Sequence, residues 1–435
     1  MASTVTKAGP YYASGSISFS SLRANFRAQQ PDGSFLSDSL PIKASNHDSS
    51  ICLLKDKEIL VAFSCERINR MKHTQRIKQV DIDVIAKHTK VVNKLVLVNV
   101  LTENEKHNGQ SYYNAFTISE SVNDIRTKLS KAGIQCGKII VDNRNHHLYH
   151  AAAGFYTSGL EDAICIIIDG FGSVETYDDA AFAETTTIFY AKETIETLHK
   201  QLLYKFESPK MTGWDTKRIL QKQNSYKFPT IITSHLDIGK MYGTVTRYVG
   251  FYAVDAGKTM GLSAYGKPNN LPPMLMEGTI ISNANLFRYD SQIDTQCYPE
   301  LQDPDDQTKK NMAYNVQKAL EKIFVERVAS ALKIKYSDNV ILGGGCALNI
   351  LGNSEIKRHF PDLNVYPEPI AADAAQSIGA ALYHYKLEFP STRFRKIDNL
   401  YFGPHYELPI VKQRLLQLVE QHNNESSVPV NSNPQ

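Results

Sequence analysis

Ala163-Ile-Cys-Ile-Ile-Ile168 is an unbroken apolar run that stops at Asp169-Gly170-Phe-Gly172. Its length is that of a strand, and a strand with no polar side chain on either face has to be covered on both. The chain is therefore expected to layer helices against a sheet. The glycines after the run allow a tight turn, which can bring backbone N–H groups up to a phosphate. Asp169, Gly170 and Gly172 are accordingly candidate nucleotide-binding residues. Just upstream, His146-His147-Leu-Tyr-His150 runs into Ala151-Ala-Ala-Gly154. Residues four apart on a helix share a face, so His146 and His150 can reach one metal ion. Satisfied surface histidines are the alternative. Three histidines within five residues, followed by small residues that let the helix pack closely, favour the ion. An ion needs a third ligand, and Asp373 is the best candidate, since it follows a strand and the loop Pro367-Glu-Pro369 and opens a helix. A helix N-cap is its alternative role.

Several strand-like runs surround these motifs. Leu40 to Ala44, Ile51 to Lys55 and Ile59 to Phe63 are joined by short polar turns. A helix from Asp81 to Val91, a strand from Leu95 to Leu101, a helix from Val122 to Lys131 and a strand from Lys138 to Val141 follow. The order then partly repeats. Strands are expected at Cys165 to Ile168, Thr186 to Tyr190, Val340 to Leu342 and Asn364 to Tyr366. Helices are expected at Asn311 to Lys335, Ala347 to His359 and Asp373 to Leu387. Two such halves suggest a bilobal, actin-like α/β fold (ASKHA, a duplicated ribonuclease H-like unit), with a nucleotide cleft between the lobes. A plain doubly wound α/β domain is the alternative. The expected boundaries are an N-terminal extension over 1–39 that is partly disordered, lobe I over 40–160, lobe II over 161–395, and a linker with a disordered tail over 396–435. A short strand within Ser16 to Ser20 is expected in the extension.

With 435 residues and a formal charge of +3, the chain is too near neutral to predict nucleic-acid binding from electrostatics. No apolar run reaches the length of a membrane span, and the first residues lack the pattern of a secretory signal. The six cysteines show no C-x-x-C spacing and read as reduced residues of a cytoplasmic protein.

Gly343-Gly344-Gly345 lies between a strand and a helix, where missing side chains let a backbone approach a nucleotide. Asn349, one turn into that helix, can reach a ribose or base. Ala256-Gly-Lys258-Thr-Met-Gly261 resembles a fragment of a phosphate loop, but Tyr252 stands where the full pattern needs glycine. Lys258 can still meet a phosphate or carboxylate, with Asp255 beside it; an ordinary surface lysine is the alternative. His47-Asp-Ser-Ser50 is either a locally hydrogen-bonded turn or the counterpart of the Asp169 turn across the cleft. Arg67, Arg70, Lys72 and His73 add positive charge near it.

Taken together, these stretches resemble the NodU/CmcH family of O-carbamoyltransferases. The matching residues are His47-Asp-Ser-Ser50, Cys65-Glu-Arg67 through Arg70-Met-Lys72-His73, His146-His147-x-x-His150-Ala-Ala, Asp169-Gly-x-Gly172, Gly257-Lys-Thr-Met-Gly-Leu262, Gly343-Gly-Gly-Cys-Ala-Leu-Asn349, and Asp373 leading to Ile378-Gly-Ala-Ala381. The resemblance implies a divalent metal, iron or alternatively zinc, on His146, His150 and Asp373. It also implies ATP-derived carbamoyl-adenylate as the nucleotide ligand, and transfer of its carbamoyl group to an acceptor hydroxyl. His47, Lys72 and Asp255 form the candidate catalytic set, with His47 suited to accept the hydroxyl proton near neutral pH. Sugars, antibiotic hydroxyls and hydroxymethylated nucleobases are all suitable acceptors, and no membrane partner is expected. Family members usually carry Asp-x-Gly where this chain has Asp373-Ala374-Ala375, so an added methyl is expected to crowd the nucleotide or shift the turn. The resemblance stops near Leu400-Tyr-Phe-Gly403-Pro404, before the YrdC-like domain that makes carbamoyl-adenylate in typical members. A separate YrdC-like protein, a split or shortened gene product, or lost activity would each account for that. A nucleotide-binding scaffold and a kinase-like or chaperone-like ATPase are the competing functions, and the paired histidines oppose the ATPase, since such enzymes generally use carboxylates and magnesium.

Overall fold

The computed structural model describes residues 11–16, 48–74, 77–98, 106–107, 110–111, 118–142, 144–177, 180–206, 216–288, 291–404 and 406–426. Lobe I contains β1 (Tyr11–Ser16), β2 (Ser50–Lys55), β3 (Glu58–Ser64), α1 (Cys65–Asn69), α2 (Gln79–Ile85) and β4 (Val91–Val98). A minute hairpin of β5 (Lys106–His107) and β6 (Gln110–Ser111), then α3 (Ile118–Lys131) and β7 (Gln135–Asp142), complete it. Helix α4 (His146–Ser158) leads into lobe II. There the order is β8 (Ala163–Ile168), β9 (Val174–Tyr177), β10 (Ala180–Ala191), β11 (Ile195–Phe206), α5 (Thr216–Asn224), β12 (Thr230–Thr233), α6 (Ile238–Tyr248) and α7 (Ala256–Ser263). It continues with α8 (Asp306–Ile334), β13 (Asn339–Gly343), α9 (Ile350–His359) and β14 (Asn364–Pro367), followed by α10 (Ala375–Glu388) and α11 (Leu408–Ser426).

The first sheet has the order β3-β2-β1-β4-β7, antiparallel through β3, β2 and β1 and parallel from β1 onward. The second has the order β12-β11-β10-β8-β13-β14, with β11, β10 and β8 antiparallel and β13 and β14 parallel to β8. Without β12 the two orders are the same. This is the duplicated ribonuclease H-like order of an actin-like bilobal fold.

The apolar run of β8 serves two cores at once. Ile164, Ile166 and Ile168 pack with α6 and α8, while Ala163, Cys165 and Ile167 pack on the opposite face with α4 and α10. The period of two that places alternate side chains on opposite faces makes this division automatic. In β2, Ile51 and Leu53 face the α2 and α3 side, and Cys52 and Leu54 face α10. Each large side chain so buried contributes ~1.5–3 kcal/mol. The chain is therefore layered as helices, sheet I, α10, α4, sheet II, helices.

Capping residues set several helix starts. The Asp305 side chain accepts from Thr308 N at 2.7 Å to open α8, and the Asp237 side chain accepts from Ile238 N at 2.8 Å to open α6. Gly159 ends α4 with φ 74°, a left-handed conformation that costs glycine little.

Four boundary expectations need correction. Tyr11–Ser16 supplies a central strand of sheet I, so the segment 1–39 is more than an extension; beyond Ser16 the strand expected there, like the run Leu40 to Ala44, lies outside the described residues. The helix expected to reach Val91 stops at Ile85, because Val91-Val92 opens β4, where β-branched side chains fit a pleated surface. Helix α10, assigned by position to lobe II, packs on β1, β2 and β4 of lobe I. Finally, 396–404 is tied to the lobes: Ile397 N donates to Thr157 O at 3.0 Å and Ala62 N to Phe402 O at 2.9 Å, and α11 occupies most of the stretch between this linker and the tail, whose last residues lie outside the described ones. Among the described residues, no helix is long and apolar enough to cross a membrane.

Candidate metal centre

Three segments meet where α4 begins. His146 and His150 come from its first turns, Asp169 from the turn after β8, and Asp373 from the turn before α10. One ligand-type atom from each lies within 4.8 Å of all the others. His146 Nε2 is 3.2 Å from Asp169 Oδ2 and 3.6 Å from Asp373 Oδ1. His150 Nε2 is 3.6 Å from Asp169 Oδ2 and 3.7 Å from Asp373 Oδ1. Ligands held ~2.1 Å from one ion lie about 3.0–3.4 Å apart when adjacent around it. The four histidine–aspartate distances thus match the spacing of a coordination shell to within a few tenths of an ångström.

The imidazole of His150 tests the fit. It is fully buried, and neither ring nitrogen has a hydrogen-bond partner. An unpaired buried polar group is costly, and a cation among the four groups would remove that cost at Nε2. Burial works against protonation of His150, but Asp169 and Asp373 outweigh it and push the ring up to about 10. Burial likewise raises Asp169, and His146 and His150 outweigh it, holding that carboxylate well below the usual range. Two imidazoles and two carboxylates facing one point therefore call for positive charge, which protons or a divalent ion can supply. The donor set suits zinc or iron.

Neighbouring residues hold these groups in place. Asp142 Oδ2 accepts from Tyr149 Oη at 2.6 Å and from Asn145 Nδ2 at 2.8 Å, tying the start of α4 to the end of β7. Gln376 Nε2 lies 3.3 Å from His146 Nε2. His146 N donates to Ser173 Oγ at 3.1 Å, and Ser173 N donates to Glu184 Oε2 at 3.0 Å. His147, fully buried, points away from the cluster, with Nδ1 2.7 Å from Thr187 Oγ1. Burial pushes His147 down to about 4 against the opposing pull of Glu184.

Glu184 itself is buried and paired with Lys200 Nζ at 2.5 Å. Burial raises its pKa, but His147 and Lys200 outweigh that and lower it overall. Lys200→Met should strand this carboxylate and cost ~3–5 kcal/mol in urea unfolding. An effect under about 1 kcal/mol, the range of exposed pairs, would show that the pair is not a buried one.

The glycine motifs serve this geometry. Gly172 N donates to Glu184 O at 2.8 Å, so that N–H is spent on strand pairing rather than offered to a phosphate. A Cβ on Gly172 would sit 2.7 Å from His147 Nε2. Gly170 N donates to Asp169 Oδ1 at 2.6 Å, and a Cβ there would meet nothing within 4 Å. Gly344 is left-handed, φ 80°, and its missing side chain lets Ile168 O approach to 2.5 Å of the Cβ position. Gly345 abuts the Asp169 carboxylate, 3.2 Å from its Cβ position to Oδ1, while Gly343 packs on Ile167. The Asn349 side chain is engaged elsewhere: Oδ1 caps α9 through Gly352 N at 2.9 Å, and Nδ2 donates to Gln317 Oε1 at 2.9 Å. Ala375, the feared methyl, is fully buried, and Ala374 has ordinary helical dihedrals, φ −58° and ψ −27°, so the turn accommodates both.

A second group of charges lies where the lobes face each other. Lys72 Nζ, from lobe I, is 3.7 Å from Asp255 Oδ1, and Lys258 Nζ is 3.0 Å from Asp255 Oδ2. The hydrogen bond from Lys258 is the main reason Asp255 is held below the usual carboxylate range, with Lys72 and His73 adding to it. His73 Nδ1 lies 3.0 Å from Asp48 Oδ1, and His73 N donates to Glu66 Oε2 at 2.9 Å. Asp48, Arg70 and His73 all have left-handed backbones, φ 64°, 60° and 53°. Such strain costs ~1–3 kcal/mol per residue and persists where surrounding structure imposes it, often at functional sites. Ser50 Oγ joins this turn to the metal cluster, donating to Ala374 O at 2.9 Å beside Asp373. The catalytic candidates Lys72 and Asp255 are thus brought together with Lys258. His47 lies outside the described residues.

Sequence reasoning missed Asp169 as a member of the metal cluster, along with Gln376, Glu184 and Lys200. The only sequence signal for Asp169 is its place at the end of a fully apolar strand, where a carboxylate is out of character.

Comparison with known proteins places this geometry in context. Residues 123–382, more than half of the chain, match the family described as Carbamoyltransferase N-terminus. Uncharacterized protein sll1178 of Synechocystis is 26% identical over 414 residues, covering 84% of this chain and 60% of that protein. Nodulation protein NolNO of Sinorhizobium fredii is 23% identical over 379 residues, covering 82% of this chain and 49% of that protein. The chain spans about half the length of the curated relatives it matches. Among solved structures, HypF of T. kodakarensis covers 89% of this chain and 49% of that chain, with 14% identity and a TM-score of 0.46.

Proposed function

We propose, from the premise that the chain belongs to the Carbamoyltransferase N-terminus family, that it moves a carbamoyl group from carbamoyl-adenylate to an acceptor hydroxyl at a site built around a divalent metal. The observation that carries this reading is the convergence of His146, His150, Asp169 and Asp373 within 4.8 Å at the inner end of α4. A divalent ion held there supplies a Lewis acid for charge developing on the carbonyl or phosphate oxygen. Carbamoyl carbon is a poor electrophile because its nitrogen donates into the carbonyl, so a good leaving group and charge stabilisation are both needed.

The chain's own residues supply the rest. Lys258 and Lys72 bring positive charge to the gap between the lobes, suited to the adenylate phosphate, with Asp255 holding both ammonium groups in place. Gly170, where a Cβ would meet nothing within 4 Å, leaves the backbone beside Asp169 open to close approach by the nucleotide. The acceptor oxygen bonds to the carbamoyl carbon, the bond from that carbon to the phosphate oxygen breaks, and AMP leaves. The hydroxyl proton passes to a base, for which His47 is the candidate. The acceptor is a sugar, an antibiotic hydroxyl or a hydroxymethylated nucleobase, and carbamoyl-adenylate comes from a YrdC-like protein.

The direct experiment supplies carbamoyl phosphate, ATP and a candidate hydroxyl acceptor to the purified chain, with and without a separately expressed YrdC-like protein, and follows carbamoyl-adenylate and carbamoylated product by mass spectrometry. Product is expected only in the mixture, with about one iron or zinc per chain. Carbamoyl-adenylate formed by this chain alone would remove the need for the partner, and absence of product in a metal-replete mixture would count against the transfer. His47→Asn is expected to abolish transfer while metal content stays unchanged. Equal loss of both would assign His47 a structural role.

A further inference from the structure

One buried acid near the metal cluster has no task in the reaction above. Glu368 follows β14 and is only 4% exposed. Its backbone is fixed in the sheet, Glu368 N donating to Leu342 O at 2.8 Å, and its Oε1 accepts from Ile370 N at 3.0 Å. Its Oε2 is buried with no hydrogen-bond partner. The His150 ring presents the complementary defect, a buried Nδ1 with no partner.

The two groups share one face of α4. Gly154 lies one helical turn beyond His150, and a Cβ on it would meet Glu368 Cγ at 3.4 Å and Glu368 Cβ at 3.6 Å. The absent side chain of Gly154 thus opens the groove in which Glu368 lies along the helix. The short turn that starts at Glu368 also carries Asp373, and Ala371 N donates to Glu368 O at 3.1 Å within it. One turn therefore carries both Asp373 of the cluster and a buried acid that lies against the helix bearing His150. Burial raises the Glu368 carboxyl to about 7, and His150 is the charge that opposes the rise.

We infer that Glu368 is a positioning residue of the metal centre: its carboxylate accepts the Nδ1 proton of His150, directly after a side-chain rotation or through one water, and so fixes Nε2 as the ligand atom. Metal-bound imidazoles commonly hold their second N–H in this way, which sets both the tautomer and the plane of the ring. The inference rests on the metal reading proposed above and adds to it a residue that does not touch the ion.

The test is zinc(II) affinity by chelator competition on the full chain, for the parent, Glu368→Gln, Glu368→Leu and His150→Ala, with thermal unfolding of each metal-free protein alongside. Glu368→Leu is expected to weaken zinc binding ~10–100-fold. Glu368→Gln, which keeps an acceptor but not the charge, should fall between it and the parent. Metal-free stability should hold or rise in both, because each removes a buried carboxyl group whose Oε2 has no partner. Affinity within about twofold of the parent in both variants, or a loss that merely tracks metal-free unfolding, would overturn the inference while leaving the metal centre intact. A parent that binds zinc no better than His150→Ala would overturn the centre itself, and this inference with it.

Discussion

Asp169→Asn is expected to cost the protein its metal ion as fully as Asp373→Asn does. The sequence suggests different roles for the two, Asp169 for a phosphate turn and Asp373 for a metal. The geometry makes them equivalent. Asp169 Oδ2 is 3.2 Å from His146 Nε2 and 3.6 Å from His150 Nε2, and Asp373 Oδ1 is 3.6 Å and 3.7 Å from the same atoms. Each supplies one of the two negative charges of the four-residue cluster. Neutralising either halves that charge and leaves a weaker oxygen donor. Changes to groups that merely support a ligand typically lower affinity ~10–100-fold, so loss of a direct ligand should weaken binding beyond ~100-fold. Metal content after dialysis, by elemental analysis, is the measurement. Asp169→Asn that keeps a full complement of metal yet loses nucleotide affinity would restore the phosphate-turn role and reduce the ligand set to three.

Gly379→Ala is expected to damage stability and metal binding together. A Cβ at Gly379 would lie 1.8 Å from Tyr149 O and 2.7 Å from Tyr149 C, far inside contact distance, and both are backbone atoms that cannot swing away. Helices α4 and α10 must then separate. Overpacking of this kind costs ~1–3 kcal/mol or more. The same movement draws Asp373, just before α10, away from His146 and His150 on α4. Unfolding in urea should show the loss of stability, and chelator competition should show weaker metal binding. Gly261→Ala is the control, because a Cβ there meets nothing within 4 Å and alanine favours a helix. It should leave stability unchanged or raise it. Full metal affinity in a folded Gly379→Ala protein would mean that the cluster does not depend on the approach of the two helices.

Local patterns in the sequence account for much of the fold. The strand of Ala163–Ile168 carries the expected unbroken apolar run, the hairpin of Ser50–Lys55 with Glu58–Ser64 the expected short polar turn, and the long helix Asp306–Ile334 the expected apolar stripe. Other elements were not legible. Ile195–Phe206 mixes charged and apolar residues because it is a long strand between an antiparallel partner, β10, and a short parallel one, β12, with uneven cover. Leu408–Ser426 does have apolar residues at helical spacing, but Leu408, Leu415 and Leu416 are exposed, so no core betrays it. Ala256–Ser263 has the composition of a glycine-rich loop yet forms a helix, which carries Lys258 at its start.

The sequence alone determined what depends on neighbours in the chain: the shared face of His146 and His150, the double burial of β8, and the glycines that permit close approach. Helix and strand geometry convert such spacing into direction without further information. Only the tertiary structure decided that Asp169 joins the histidines, that α10 lies on lobe I, and that Glu368 lies along α4 one turn from His150. Those outcomes depend on which strand pairs with which and on how closely two helices approach, and both are set by the packing of layers distant in sequence rather than by any local pattern.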